Sequence, residues 1–160
     1  MAQAQTVKFA KQMILLGNNG SPEIFRAPCG FESLTMTINV AKNDTNIPDC
    51  SNPDAIAWLV SETVSKQMIL SGEGLLEQLG LKDWQDWAIE GEVGGDEAEE
   101  RNIRWFRDFS GGNRGYLQVP AILSAYSEQG QRGNRWRRNI ELTGNGKPTW
   151  VPLGAGSTAS

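Results

Sequence analysis

An α+β fold that is mainly β is predicted by three observations. Residues 115–150, GYLQVPAILSAYSEQGQRGNRWRRNIELTGNGKPTW, spell two alternating arms around a Gly-bearing turn. The same period of two recurs at residues 34–40 and 102–109. Helical spacing governs only residues 75–90, so strands, one central helix and more strands follow in that order.

Taken along the chain, residues 7–16 alternate Phe9, Met13 and Leu15 with Lys8, Gln12, Ile14 and Leu16, and the turn GNNGSP leads into residues 23–26 as a first hairpin. In residues 34–40, Met36, Ile38 and Val40 point one way while Thr35, Thr37 and Asn39 point the other. AKNDTNIPDCSNPD, residues 41–54, has no periodicity over more residues than an ordinary connection uses, and is expected to be a long loop that touches something. Residues 55–64 and 66–71 resume strand-like sequence, which Gly72 and Gly74 are expected to break. The helix carries Leu81, Trp84, Trp87 and Ala88 along one stripe, with the two Trp residues packing it over the sheet.

Ile103, Trp105, Arg107 and Phe109 then alternate with Asn102, Arg104, Phe106 and Asp108. In the final hairpin, Trp136, Arg138, Ile140 and Leu142 share a face that is expected to be half-buried, opposite Arg137, Asn139, Glu141 and Thr143. Gly130 and Gly133 suit the turn between its arms. Residues 1–151 are therefore expected to form one domain, with residues 152–160, small and polar, as a flexible tail.

Composition narrows the chemistry. A chain of 160 residues suits one domain, and 39% hydrophobic content is low enough that partners are expected to supply some stability. Net charge is −4, but residues 73–100 are acidic apart from Lys82, whereas residues 101–138 hold eight Arg against Asp108 and Glu128. Opposite-sign segments either invite like copies to pack head to side or are simply solvated surface. No apolar run is long enough to span a bilayer, and the first residues lack the charged and apolar regions of a signal peptide, so a cytoplasmic product without a membrane partner is expected. Cys29 and Cys50 lack CxxC spacing and are read as reduced core or loop residues, with a disulfide as the alternative.

The sequence has no His, which removes the commonest member of catalytic triads, zinc-water sites and general acid–base pairs, and no enzyme, cofactor or metal is expected. Asp44, Asp49 and Asp54 match no calcium loop. The SGGNRG run lies between strands rather than before a helix, where a phosphate cradle would need it. Arg132, Arg135, Trp136, Arg137 and Arg138 interleave an aromatic with cations, as a single-strand-binding surface does, although alternation sends Trp136 and Arg137 to opposite faces.

Four passages in order, LTMTINVAKNDTNIPDCSNPDA, SKQMILSGEGLL, LKDWQDWAIEG and the closing hairpin that ends LTGNGKPTW, resemble the tail tube (major tail) proteins of bacteriophages with long non-contractile tails, across residues 9–150. The resemblance implies a small β-sandwich or rolled barrel with one flanking helix, assembling as hexameric rings with a shared inner β-barrel. It implies that rings stack into a tube in the virion tail, built in the host cytoplasm, through which DNA passes without tight binding. It also implies a tape measure protein, a tail terminator and tip or baseplate proteins as partners. A conduit for a polyanion should be lined by uncharged or acidic strands, and the Thr35, Thr37 and Asn39 face qualifies as the lumen side. Asp44, Ile47, Asp49 and Asp54 are the candidates for ring stacking, and Arg132, Arg135 and Arg137 for contacts between subunits. Two other readings stay open: a β-barrel nucleic-acid-binding module using the 132–138 hairpin, and an inner-tube protein of a contractile tail or type VI secretion system.

Overall fold

The computed structural model describes residues 6–89, 91–93, 96–97, 100–109 and 113–154. A short 3-10 turn, Phe9–Lys11, precedes β1 (Gln12–Gly17) and β2 (Phe25–Arg26). Then come β3 (Phe31–Ile47), β4 (Trp58–Leu75), α1 (Gln78–Ile89), β5 (Glu92–Val93), β6 (Asp96–Glu97), β7 (Glu100–Arg107), β8 (Gly115–Gln129), β9 (Arg137–Gly144) and β10 (Thr149–Pro152). Eight strands form one antiparallel sheet in the order β2-β1-β7-β8-β9-β4-β3, with β10 beside the start of β8, while β5 and β6 pair separately.

Three strands separate β1 from β4, which in a flat sheet would place them about 19 Å apart. Yet Ile14 and Leu16 of β1 share one core with Met68 and Leu70 of β4, together with Ile103, Trp105, Val119, Ile140 and Leu142. The sheet is therefore rolled. α1 fills its concave side, where Trp84 and Trp87 stack at 6.0 Å and Phe31 meets Trp84 edge-on. Both Trp residues are buried, as the helical stripe predicts, while Ala88 at its end is exposed. β1 buries its other face too: Leu15 packs with Phe25 and Phe106 in a second, smaller core that Met13, Tyr116 and Leu153 border.

The first and last hairpins form where the sequence places them. Leu16 opposes Arg26 in the first, and residues 121–129 of β8 oppose residues 137–144 of β9 in the last. Residues 7–11, expected to begin the first strand, instead hold the 3-10 turn, and pairing to β7 starts only at Gln12. Trp136, expected on the half-buried face, precedes β9 and is exposed; Arg138, Ile140 and Leu142 are the buried members.

The middle of the chain departs most from expectation. The 41–54 loop is shorter than predicted, because β3 continues to Ile47 and each of residues 42–47 pairs with β4, Lys42 with Thr63 through Ile47 with Trp58. Pairing gives this Asn- and Asp-rich stretch the hydrogen bonds its composition alone would seek in a turn. Only residues 48–57 connect the strands. Nor do Gly72 and Gly74 end β4. A Cβ on Gly74 would lie 1.9 Å from the Gly30 carbonyl oxygen, and one on Gly72 2.6 Å from the Phe31 ring, so both glycines let the base of β3 approach β4 closely. Cys29 and Cys50 are free and exposed.

Candidate functional site

The chemistry-bearing surfaces lie on a four-stranded portion of the sheet, β8-β9-β4-β3. Directly opposed residues in antiparallel strands share a face. Thr35 therefore lies in a row with Ser71, Glu141 and Ala125, and Thr37 in a row with Ile69, Thr143 and Ile122. Asn39 sits beside Gln67, and Ser124 and Thr143 hydrogen-bond through their hydroxyls. Thr35, Thr37 and Asn39 are all exposed, on the side away from Leu34 and Met36, which pack on the core. This outer face is one uncharged or acidic surface: Glu32, Glu73 and Glu141 occupy its base with Arg137.

Arg137 is already engaged within its own chain. It pairs with Glu32 at 2.7 Å and Glu73 at 3.6 Å, and these carboxylates, Glu32 first, raise its pKa. Arg138, one residue on, points inward and is 1% exposed. Its Nη2 donates to the Cys29 carbonyl, and its guanidinium lies over Phe31 at 4.6 Å and Trp84 at 5.7 Å. Nε and Nη1 find no acceptor among the described residues. Burial pushes its pKa down, with Glu77 opposing most strongly. Arg132 and Arg135 are exposed in the turn. The sequence-predicted basic hairpin is thus dispersed into two exposed cations without an ion pair among the described residues, one internal ion pair and one core residue.

Ile47, Asp49 and Asp54 lie at the far end of a two-stranded arm formed by the outer halves of β3 and β4, with Asp44 three residues back on β3 and on the opposite face from Ile47; every described residue from Asn43 to Ile56 is exposed. Asp44 accepts a hydrogen bond from Ser61 Oγ, and Asp49 Oδ1 caps the Ser51 N–H at 2.8 Å. Among the described residues no three Cys, Asp or Glu converge as metal ligands would. The register is broken between Ala41 and Lys42, which leaves Val64 as the extra residue of a bulge. Beyond the bulge the Thr-bearing face turns apolar: Ile47, Trp58 and Val60 share it, and Ile56 adjoins them, 95% exposed. This apolar tip was missed from sequence, although the signal, AIAWLV directly after the turn, was there.

A second polar feature is a cleft of about 200 Å³ between α1 and β1–β2, lined by Arg26, Cys29, Glu77, Asp83, Trp84 and Arg101. Arg26 pairs with Asp83 at 3.2 Å across its exposed mouth. Arg101 is 8% exposed, donates Nε–H to the Gly17 carbonyl and sits over the Trp87 ring at 5.7 Å, with burial lowering its pKa. It reads as an anchor of the helix to the sheet.

Two bare strand edges flank the four-stranded portion. Beyond Ile122, β8 has β9 on one side and no partner among the described residues on the other, because β7 pairs only as far as Ile122. Among the described residues, β3 has only β4 along its length. Monomeric proteins blunt or cover such edges.

No protein-family profile and no curated protein matches the sequence. Solved structures do. A chain from the tail of an empty GTA particle, refined with C6 symmetry, superposes with a TM-score of 0.68 over 91% of this chain and 99% of that one, at 14% identity. The chain has the tail-tube fold. The virion of a native gene transfer agent particle supplies a second match, with a TM-score of 0.66, 12% identity and the same coverage. The SPP1 tail tube supplies a third, at 0.55 and 11% identity over 93% of this chain and 80% of that one. Identities this low mean that the tail-tube fold is retained through strand order and core packing rather than through particular residues.

Proposed function

We propose that this chain is the structural subunit of a virion tail tube. Copies join edge to edge into hexameric rings, rings stack, and the hollow stack conducts DNA. The observation that carries the reading is the pair of bare edges, β3 and distal β8, on either side of a four-stranded sheet with an uncharged or acidic outer face. Pairing β3 of one copy with β8 of the next consumes both edges without disturbing the core. With six copies, as in the C6-symmetric neighbour, the four strands of each close a barrel of 24. At a strand spacing of ~4.8 Å and a tilt of ~40°, its Cα wall would be about 45–50 Å across.

The rows headed by Thr35, Thr37 and Asn39 then face the lumen. A wall with few cations neither retains nor slows a polyanion. The arm tip with Asp44, Ile47, Asp49 and Asp54 reaches the neighbouring ring. The tape measure protein inside the growing tube, the terminator at the head end and the tip or baseplate proteins at the other end complete the partners. The role is architectural, with no catalytic residue, in a particle assembled in the host cytoplasm. As for a nucleic-acid-binding module built on the hairpin, Arg137 is paired and Arg138 buried, so that of its four arginines Arg132 and Arg135 remain exposed to meet phosphate.

Negative-stain electron microscopy of the purified protein tests the proposal. Six-fold rings or hollow tubes are expected, whereas a protein that stays monomeric at every concentration and in the presence of tail initiators would refute it.

A further inference from the structure

The arm tip is an apolar knob with an acidic rim. Ile56 is 95% exposed, Trp58 86% and Ile47 57%, beside Asp49 and Asp54, neither of which forms an ion pair among the described residues. The same sheet ends at its other extreme in a surface of opposite character. β9 runs antiparallel to β4 and begins with Arg137 opposite Leu75, so the turn that precedes β9 lies at the Leu75 end of β4 while the arm tip lies at its Trp58 end. At ~3.3 Å per residue the two are about 55 Å apart along the strand. That turn presents Trp136, 57% exposed, with its ring against Gly130, and the exposed Arg132 and Arg135, which make no ion pair among the described residues.

We propose that these two ends are each other's partners: the acidic, apolar arm tip of one copy seats on the basic, aromatic 130–136 turn of a second copy. The inference rests on the tube reading above and names the axial contact of that assembly. Tip-to-tip packing would bring carboxylates of both copies together, and turn-to-turn packing would oppose guanidinium groups, so only the tip-to-turn pairing matches both charge and apolar surface. It is a heterologous contact, and a heterologous contact that does not close on itself propagates. Each copy consumes one tip and offers one turn, which gives the stack a polarity. Arg137 takes no part, since Glu32 and Glu73 already hold it.

The experiment compares four samples of the full-length protein: wild type, R132E/R135E, D49K/D54K, and a 1:1 mixture of the two variants. All four changed residues are exposed, so each variant should melt like wild type and still form rings. In R132E/R135E both ends are acidic, and in D49K/D54K neither is. Each alone should lose pelletable tubes, with a critical concentration raised at least about tenfold, or ~1.4 kcal/mol. The mixture should recover tubes, because each variant's tip then finds a turn of opposite charge in the other. If either variant polymerises like wild type, or if the mixture stays as rings, the tip-to-turn contact is wrong while the tube reading stands. A wild type that yields neither rings nor tubes overturns the tube reading, and the contact with it.

Discussion

Replacing Trp84 with Ala probes how the helix is held in the rolled sheet. The side chain is 1% exposed, stacks on Trp87 at 6.0 Å, meets Phe31 edge-on at 6.4 Å and lies beneath the Arg138 guanidinium. Truncating a buried Trp to Ala costs about 3–5 kcal/mol, from lost transfer energy plus the cavity left behind. This cavity would be bordered by Arg138, whose Nε and Nη1 find no acceptor among the described residues, so water can enter and take those hydrogen bonds. The loss should therefore fall in the lower part of the range, about 3–4 kcal/mol. For a chain of this size that lowers the melting temperature by about 6–16 °C. Urea denaturation followed by Trp fluorescence measures it, with wild type, Trp84→Ala and Trp136→Ala compared at one protein concentration and one assembly state. Trp136, 57% exposed, should cost less than about 1 kcal/mol. If Trp84→Ala costs no more than Trp136→Ala, the helix is not seated on the sheet as described.

Other changes test other parts of the molecule. Excising residues 44–61 and joining Asn43 to Glu62 through Asn-Gly should leave a folded protein that makes rings and no tubes, because none of the removed residues is buried and Asn43 already pairs with Glu62; full-length tubes from this variant would rule out the arm as the axial contact. Thr35→Lys/Thr37→Lys should assemble normally but retain DNA in a salt-dependent way, and DNA release at wild-type rate in low salt would place this face elsewhere than the lumen. Gly74→Val should weaken the base of the arm by about 1–3 kcal/mol or more, since its Cβ would collide with the Gly30 carbonyl, and an unchanged denaturation midpoint would contradict that approach. Asp108 is held below its ordinary value of 3.8, chiefly by the hydrogen bond from Arg114, with Lys11 adding to it. A depressed carboxylate stabilises the fold above its unfolded pKa and loses that contribution as pH falls through the lower folded value. Asp108→Asn should thus be less stable than wild type at neutral pH and equal to it in strong acid, and a difference that persists in acid would assign the effect to something other than charge.

The elements whose two faces meet different surroundings were legible in the sequence. Trp84 and Trp87 announce the helix because one side of it is core, and Ile140 and Leu142 announce β9 for the same reason. The arm was not legible. Where both faces of a strand are exposed in the single chain, no buried partner imposes alternation, and residues 41–47 look like a loop although they pair throughout. Gly72 and Gly74 misled for a related reason, since a glycine that admits a neighbouring backbone is indistinguishable, in one sequence, from one that ends a strand. Of the candidate site residues, the Thr35, Thr37 and Asn39 face and the tip set could be placed by periodicity and by the loop they border. The division of labour within Arg132, Arg135, Arg137 and Arg138 could not, because which guanidinium meets a carboxylate and which lies over an aromatic ring depends on β3 and β4, more than sixty residues away in sequence.

The two bare edges of β3 and distal β8 carry an arithmetic of their own. Among the described residues, the β8-β9-β4-β3 portion of a single copy has two such flanks. Join a second copy side by side and one edge of each disappears, yet the pair still has two, and so does any open row whatever its length. Lateral growth therefore leaves the sticky surface of an unfinished oligomer undiminished until the row bends round and its ends meet, when the number falls to zero in one step. On the proposed assembly, partial rings gain little protection from being larger, and the closed ring is the first species in which this four-stranded portion has no open flank.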